Sequence, residues 1–315
     1  FTFVGAAPLS SPTGCLRDET GPDGVGGPDG YADCRYGDCA YSYFQDSSAG
    51  IAIDFVAVTR GNVLTHDFYI SNTEITMGSY RDMVGEDPVS ECNFAYDIDS
   101  NLQKPATNVT TSRARYMANL LSDEKGYESC YECTGSDLEI YCEGKDEFDD
   151  ITNCKGYRLP QINEIIRTRD GDVSKNFWTS DGGGNIPSGE SGNCSSEVNL
   201  TNTAATPISE FAWYCLNAGN EIHDVAQLEP TAYGVFDIYG SLREMTDSSY
   251  SYGGYYQNSP NNLLASIFTA PSCSTSIHGF RLVRSSEDSA PTKTVVQVSP
   301  SEPVVNETDL ICDVS

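Results

Sequence analysis

The stretch IAIDFVAVTRGNVLTHDFYISNTEI, residues 51–75, alternates apolar and other residues on both sides of a polar break at Arg60 to Asn62. A period of two puts every second side chain on one face of a sheet, so two strands that turn back at this break are expected. The core domain is expected to start at residue 51. Upstream, residues 1–50 carry TGPDGVGGPDGYADC, whose repeated Pro-Asp-Gly implies successive tight turns, with Cys15, Cys34 and Cys39 placed to pin them. These residues read as an N-terminal extension held by staples rather than by packing.

Downstream the apolar spacing becomes helical. Thr110 or Thr111 can cap a segment whose Ala114, Met117, Leu120 and Leu121 share a face, and Gly126 lies just past its end. A second helix is expected after Pro160, with Ile162, Ile165 and Ile166 turned inward and a stop by Gly171. From there to Ser209 the chain is mostly Gly, Ser, Asn and Thr, the composition of long loops on a scaffold. Residues 286–315 form a C-terminal extension with Pro punctuation and one strand-like run, Thr294 to Val298.

Charge narrows the partners. Forty-six acidic residues against 18 basic ones leave a net charge of -28, which repels phosphate backbones and anionic membrane surfaces. Nucleic acid is excluded as an expected partner, while divalent cations are attracted. Hydrophobic residues make up 38% of the chain, with 12 Phe and 19 Tyr, enough for a globular core. No apolar run reaches the length of a membrane span.

Twelve cysteines, Cys15, Cys34, Cys39, Cys92, Cys130, Cys133, Cys142, Cys154, Cys194, Cys215, Cys273 and Cys312, are an even number spread over the chain. That usage suits disulfides formed outside the cytosol. The chain opens on Phe1 as a mature secreted product would, and Asn108, Asn193, Asn199 and Asn306 are glycosylation sequons. An extracellular or cell-surface location is expected. Cys130, Cys133, Cys142 and Cys154 can be read as four zinc thiolates or as two local disulfides, and the extracellular setting favours disulfides. His66, His223 and His278 are isolated, and no Gly-x-Ser-x-Gly is present.

Five blocks carry a family resemblance. FYISNTEITMGSYRDMV, 68–84, with Glu74, Thr76 and Tyr80, resembles the opening strand and first helix of the sulfatase-modifying, formylglycine-generating enzyme family. PATNVTTSRARYMANLLS, 105–122, resembles its second helix, and GYRLPQINEIIRTRDG, 156–171, its Arg-Leu-Pro helix. EFAWYCLNAG through GSLREM, 210–245, resembles the segment entering its central turn, and GFRLVR, 279–284, its closing strand. The resemblance implies an α+β domain of C-type-lectin-like fold, loop-rich and stapled by disulfides, over residues 51–285.

It also implies a calcium site in GVFDIYGSLREM, 234–245, with side chains of Asp237 and Glu244 and main-chain carbonyls of Gly240 and Leu242 as ligands. Calcium takes 6–8 oxygens, and two carboxylates with two carbonyls supply a good part of that shell. The family's Asn-x-Trp-x-Trp is replaced here by Ser241, Arg243 and Met245, none of them a ligand in this set. The family's copper centre does not carry over: it needs two cysteines five residues apart, and between Glu244 and Gly279 this chain has only Cys273. No catalytic residue is therefore expected, and Cys273 reads as half of a structural disulfide.

SSYSYGGYYQNSPNN, 248–262, sets Tyr250, Tyr252, Tyr255 and Tyr256 among Ser, Gly and Asn, the composition of adaptable recognition loops. The expected function is that of a non-catalytic, calcium-binding, secreted domain acting as a subunit of an extracellular assembly such as a surface layer or filament. Its partners would be further copies of itself, or other surface proteins and glycans. FTFVGAA, 1–7, and TKTVVQV, 292–298, are apolar enough to add as strands to another sheet edge. The alternatives are a solitary ligand- or glycan-binding protein using the Tyr-rich loop, and an active oxygen-dependent enzyme.

Overall fold

The expected strand pair is present and stands inside a larger sheet. A computed structural model describes residues 43–48, 51–61, 64–88, 101–136, 139–170, 176–177, 183–188, 194–201, 205–248, 250–263, 267–269 and 277–286. Strands β1 (Tyr43–Ser48), β2 (Ile51–Val58) and β3 (Phe68–Ser71) run antiparallel, with Val56 opposite both Tyr43 and Ile70. β1 lies ahead of the expected start of the core. The sheet is completed from distant parts of the chain, in the order β1-β2-β3-β11-β6, by β6 (Tyr157–Arg158) and β11 (Val283–Ser285).

Both faces of this sheet are covered, and β2 shows why its residues are nearly all apolar. Ile53 and Phe55 pack with Met77, Tyr80, Met117, Leu121 and Tyr157 on one side. Val56 and Val58 pack with Ile165, Phe177, Phe211 and Tyr239 on the other. The first side is built by helices α1 (Met77–Val84) and α2 (Thr111–Lys125), and α2 is capped where its sequence suggests. Thr76 and Thr110 accept from the amides of Ser79 and Arg113, and Gly85 and Gly126 close the helices at positive φ. Helix α3 (Ile162–Asp170) faces the second side, but it buries Glu164 and Ile165 fully and leaves Ile162 and Ile166 half-buried. Glu164 is admitted because Arg158 meets it with two hydrogen bonds of 2.7 and 2.8 Å and His66 with one of 2.7 Å.

A hairpin of β4 (Tyr131–Thr134) and β5 (Tyr141–Gly144) sets Cys133 directly opposite Cys142, and these two are bonded. Cys130 is joined to Cys154 and Cys194 to Cys215. The four-thiolate zinc reading is thereby excluded, since all four sulfurs are consumed in disulfides. A second sheet, in the order β10-β7-β8-β9, contains β7 (Arg243–Met245), β8 (Tyr250–Tyr252), β9 (Ile267–Thr269) and β10 (His278–Gly279). The domain is α+β and loop-rich. Of the sequons, Asn199 is exposed, whereas Asn108 is 7% exposed with φ 60. Asn193 and Asn306 lie outside the described residues, as do Cys15, Cys34, Cys39, Cys92, Cys273, Cys312 and both apolar extension segments. No helix among the described residues is long and apolar enough to cross a membrane.

Candidate metal centre

The turn at 237–244 is folded by three residues in the left-handed region, Asp237 (φ 60), Gly240 (φ 85) and Ser241 (φ 50). Gly240 is required on a second count. A Cβ there would stand 1.9 Å from the carbonyl oxygen of Trp213, whose backbone pairs with Gly240 as a parallel bridge. The tight turn delivers Glu244 into β7, between Tyr252 on β8 and Gly279 on β10.

Asp237 and Glu244 are 3% and 2% exposed. Asp237 Oδ2 accepts from the Ala226 amide at 2.7 Å, and Glu244 Oε1 accepts from Arg281 Nε at 2.7 Å. Glu74, from the loop between β3 and α1, is 1% exposed and accepts from the Ser241 hydroxyl at 3.0 Å. Each carboxylate keeps one buried oxygen without a hydrogen-bond donor: Asp237 Oδ1, Glu244 Oε2 and Glu74 Oε1. Arg281 is the cation of the pocket, and its remaining nitrogens donate to the carbonyls of Ser71, Asn72 and Phe236. Three acids thus share one guanidinium.

Electrostatics follow from that count. Burial, reinforced by the charge of Glu244, pushes Glu74 well above the usual carboxylate range, and burial raises Glu244 as well. Burial pushes Asp237 up to about 6, opposed by the Ala226 amide and Arg281 and assisted by Glu244. With all three acids ionised the pocket would hold two charges more than Arg281 neutralises, and a divalent cation would relieve that excess and the three unsatisfied oxygens, so the residues present fit one. Among the described residues no three His, Cys, Asp or Glu side chains converge as a metal cage by themselves. A cation here would therefore draw on main-chain oxygens of the turn, where Gly240 and Leu242 stand. Glu74 was not part of the sequence-derived ligand set; its signal was its place among the residues of 68–84 that carry the family resemblance.

The Tyr-rich loop does not form one surface. Tyr252 and Tyr256 are 3% and 9% exposed and belong to the core, because β8 pairs with both β7 and β9 and turns Tyr252 inward. Tyr250 is 45% exposed, and Tyr255 is half-buried with the Arg243 guanidinium 4.9 Å from its ring centroid. The histidines do not meet: His66 binds Glu164, His223 stacks on Trp213 at 3.8 Å, and His278 is buried on β10.

A family model described as "Sulfatase-modifying factor enzyme 1-like domain" matches residues 42–286. Among solved structures, variable protein 1 of Treponema denticola is similar at 19% identity and a TM-score of 0.53, over 77% of this chain and 98% of that one. CarF is similar at 18% identity and a TM-score of 0.47, over 75% and 97% of the two chains. PvdO from Pseudomonas aeruginosa matches at 14% and 0.46, over 78% and 92%. No curated protein sequence matches.

Proposed function

The chain belongs to the sulfatase-modifying factor enzyme 1-like family, and from that membership we propose a secreted protein that keeps the fold without the family's oxygen chemistry and works by binding, as a subunit of an extracellular assembly. One observation carries the non-catalytic part. All six described cysteines are consumed in disulfides, and the segment between Glu244 and Gly279, where a thiol pair would stand, contains Cys273 alone. A soft metal held by paired thiolates has no ligand set there. The decisive assay supplies copper, oxygen, a reductant and a sulfatase-type cysteine peptide. The peptide mass should stay unchanged, and turnover that disappears in Cys273→Ser would overturn the reading.

Calcium belongs to the same proposal. Asp237 and Glu244, with main-chain oxygens of Gly240 and Leu242, would hold it, and Glu74 brings a third carboxylate to the pocket. Bound there, the ion supplies charge neutralisation and ties the loop holding Glu74 to the central turn. Arg281 keeps Glu244 oriented through the Nε contact, and Ser241 does the same for Glu74.

A second reading, a solitary binder of ligands or glycans, draws on the exposed ring of Tyr250 and on Tyr255, whose ring lies beside Arg243. Sedimentation of the intact chain separates the two readings: the assembly subunit forms large species as concentration rises, and the solitary binder remains a monomer.

A further inference from the structure

We infer that Asn199 carries an N-linked oligosaccharide in the secreted protein, while Asn108, which has the same acceptor motif, carries none; this rests on the secreted reading above. As sequence the two are equal: Asn-Leu-Thr at 199–201 and Asn-Val-Thr at 108–110 both satisfy Asn-x-Thr. The fold separates them. Val198 and Leu200 are each 2% exposed and pack with Ile208 and Phe211. The backbone is pinned on both sides of Asn199, since the Leu200 amide donates to the Thr206 carbonyl at 2.8 Å and the Ile208 amide to the Val198 carbonyl at 3.0 Å. Asn199 and Pro207 face each other in an antiparallel bridge. In such an extended segment successive side chains point to opposite sides, so burying 198 and 200 turns Asn199 outward, and it is exposed.

Asn108 has the opposite setting. It is 7% exposed, stands at φ 60, and lies between Ala106 and Val109, both fully buried. Thr110 then caps α2, its hydroxyl accepting from the Arg113 amide at 3.2 Å. A sugar ring is bulkier than the whole Asn side chain, and a packed site does not admit added volume without displacing its neighbours. A chain glycosylated at Asn108 before folding could not seat this residue or the start of α2. Attachment at Asn199 asks nothing of the packing. The donor is an oligosaccharide activated as a lipid-linked pyrophosphate, and in the transferase Asn199 Nδ2 attacks its anomeric carbon. The C–N bond forms as the C–O bond to the pyrophosphate breaks, the lipid pyrophosphate leaves with that electron pair, and one Nδ2 proton is released. The product is bulky and hydrated, so the surface around Asn199 is kept for solvent and withheld from subunit contacts.

The test uses the full chain, recovered from the medium of the cells that make it naturally and from a eukaryotic cell given it behind a secretion leader. After unfolding and reduction, cleavage at Glu197 and Glu210 releases 198–210, which contains Asn199 without Asn193, and trypsin releases a peptide ending at Arg113 that contains Asn108. Mass spectrometry should find the first peptide heavier by an oligosaccharide in most molecules and the second at its bare mass. Thr201→Ala should remove the addition. Thr201→Ser, which keeps the acceptor motif and the hydroxyl contacts with Asn185 at 3.1 and 3.3 Å, should retain it. Asn199→Gln changes only an exposed side chain; it should also lose the addition, melt with the enzymatically deglycosylated parent, and stand in for Thr201→Ala should that variant fail to fold. An unmodified 198–210 peptide in either secreted sample, or an oligosaccharide on Asn108 of the folded chain, would overturn the assignment and leave secretion standing. Finding the natural protein only inside its cells would overturn the secreted reading and the assignment with it.

Discussion

Asp237→Asn is expected to stabilise the metal-free protein and abolish its response to calcium. Asn keeps the oxygen that accepts from the Ala226 amide and is among the residues that tolerate the φ of 60 found here, so the substitution removes charge and little else. The carboxyl is pushed from 3.8 to about 6 in the folded state. A raised acid binds protons more readily folded than unfolded, so its cost is absent below about 4, grows between about 4 and 6, and is complete above 6. At about 1.4 kcal/mol per unit this amounts to about 3 kcal/mol at pH 7.5, and to roughly half of that at pH 5. For a domain of this size about 1 kcal/mol moves the melting temperature by about 2–4 °C, giving about 6–12 °C at pH 7.5 in chelator. The difference between variant and parent is the quantity to measure. The parent's own pH profile is blurred by His278, which burial and Arg243 push down to about 4 and which therefore destabilises the fold as pH falls below 6.5. In calcium at about a hundred times its dissociation constant the parent gains about 2.7 kcal/mol and the variant nothing. A variant less stable than its parent in chelator at pH 7.5, or one that gains as much from calcium, would refute the argument.

Gly240→Ala places a Cβ 1.9 Å from the Trp213 carbonyl at a φ of 85, so calorimetry should show a loss of at least about 3 kcal/mol or no folded protein. Glu164→Gln strands the buried Arg158 charge, for an expected loss of about 3–5 kcal/mol in denaturant titration at pH 7. Because Glu164 is held at about 2 against 4.5 when unfolded, its stabilisation is complete above pH 4.5 and disappears as pH falls toward 2; the variant and parent curves should converge in that window. Tyr252→Ala should cost about 3–5 kcal/mol by thermal melting, while Tyr250→Ala should leave the melting temperature within about 1–2 °C of the parent.

Elements announced by local chemistry were legible in the sequence. The α2 caps, Thr110 and Gly126, and the return of β2 onto β3 each depend on neighbours a few residues apart, and they stand where their signals put them. Strand β1 was not legible, since YFQDSS has little apolar alternation and its pairing depends on β2. In α3 the expected face of Ile162, Ile165 and Ile166 gave way to one containing Glu164, because a partner from β6 pays the cost of burying its charge. Asp237 and Glu244 could be singled out as a pair through the family resemblance. Glu74 could not be added, since 163 residues of chain separate it from Asp237 and only the closed fold makes them neighbours. The tyrosines at 250–256 divide between core and surface, a partition that period-two reading cannot assign inside a loop with adjacent glycines.

Strand β11 lies between β3 and β6, so an interior place in the main sheet is filled by residues 283–285. A ribosome adding about 5–20 residues per second needs about 10–40 s to travel from the end of β3 to the end of β11. Throughout that interval β3 has no partner on one side and β6 has none in this sheet, and Phe280 and Leu282, both fully buried in the finished fold, do not yet exist. The domain must therefore complete this sheet after its synthesis is nearly over, and export of an unfolded chain is compatible with an architecture in which an interior strand arrives last. A stop codon or a protease cut ahead of residue 283 would remove an interior strand rather than a margin, leaving β3 and β6 with unsatisfied edges as templates for aggregation.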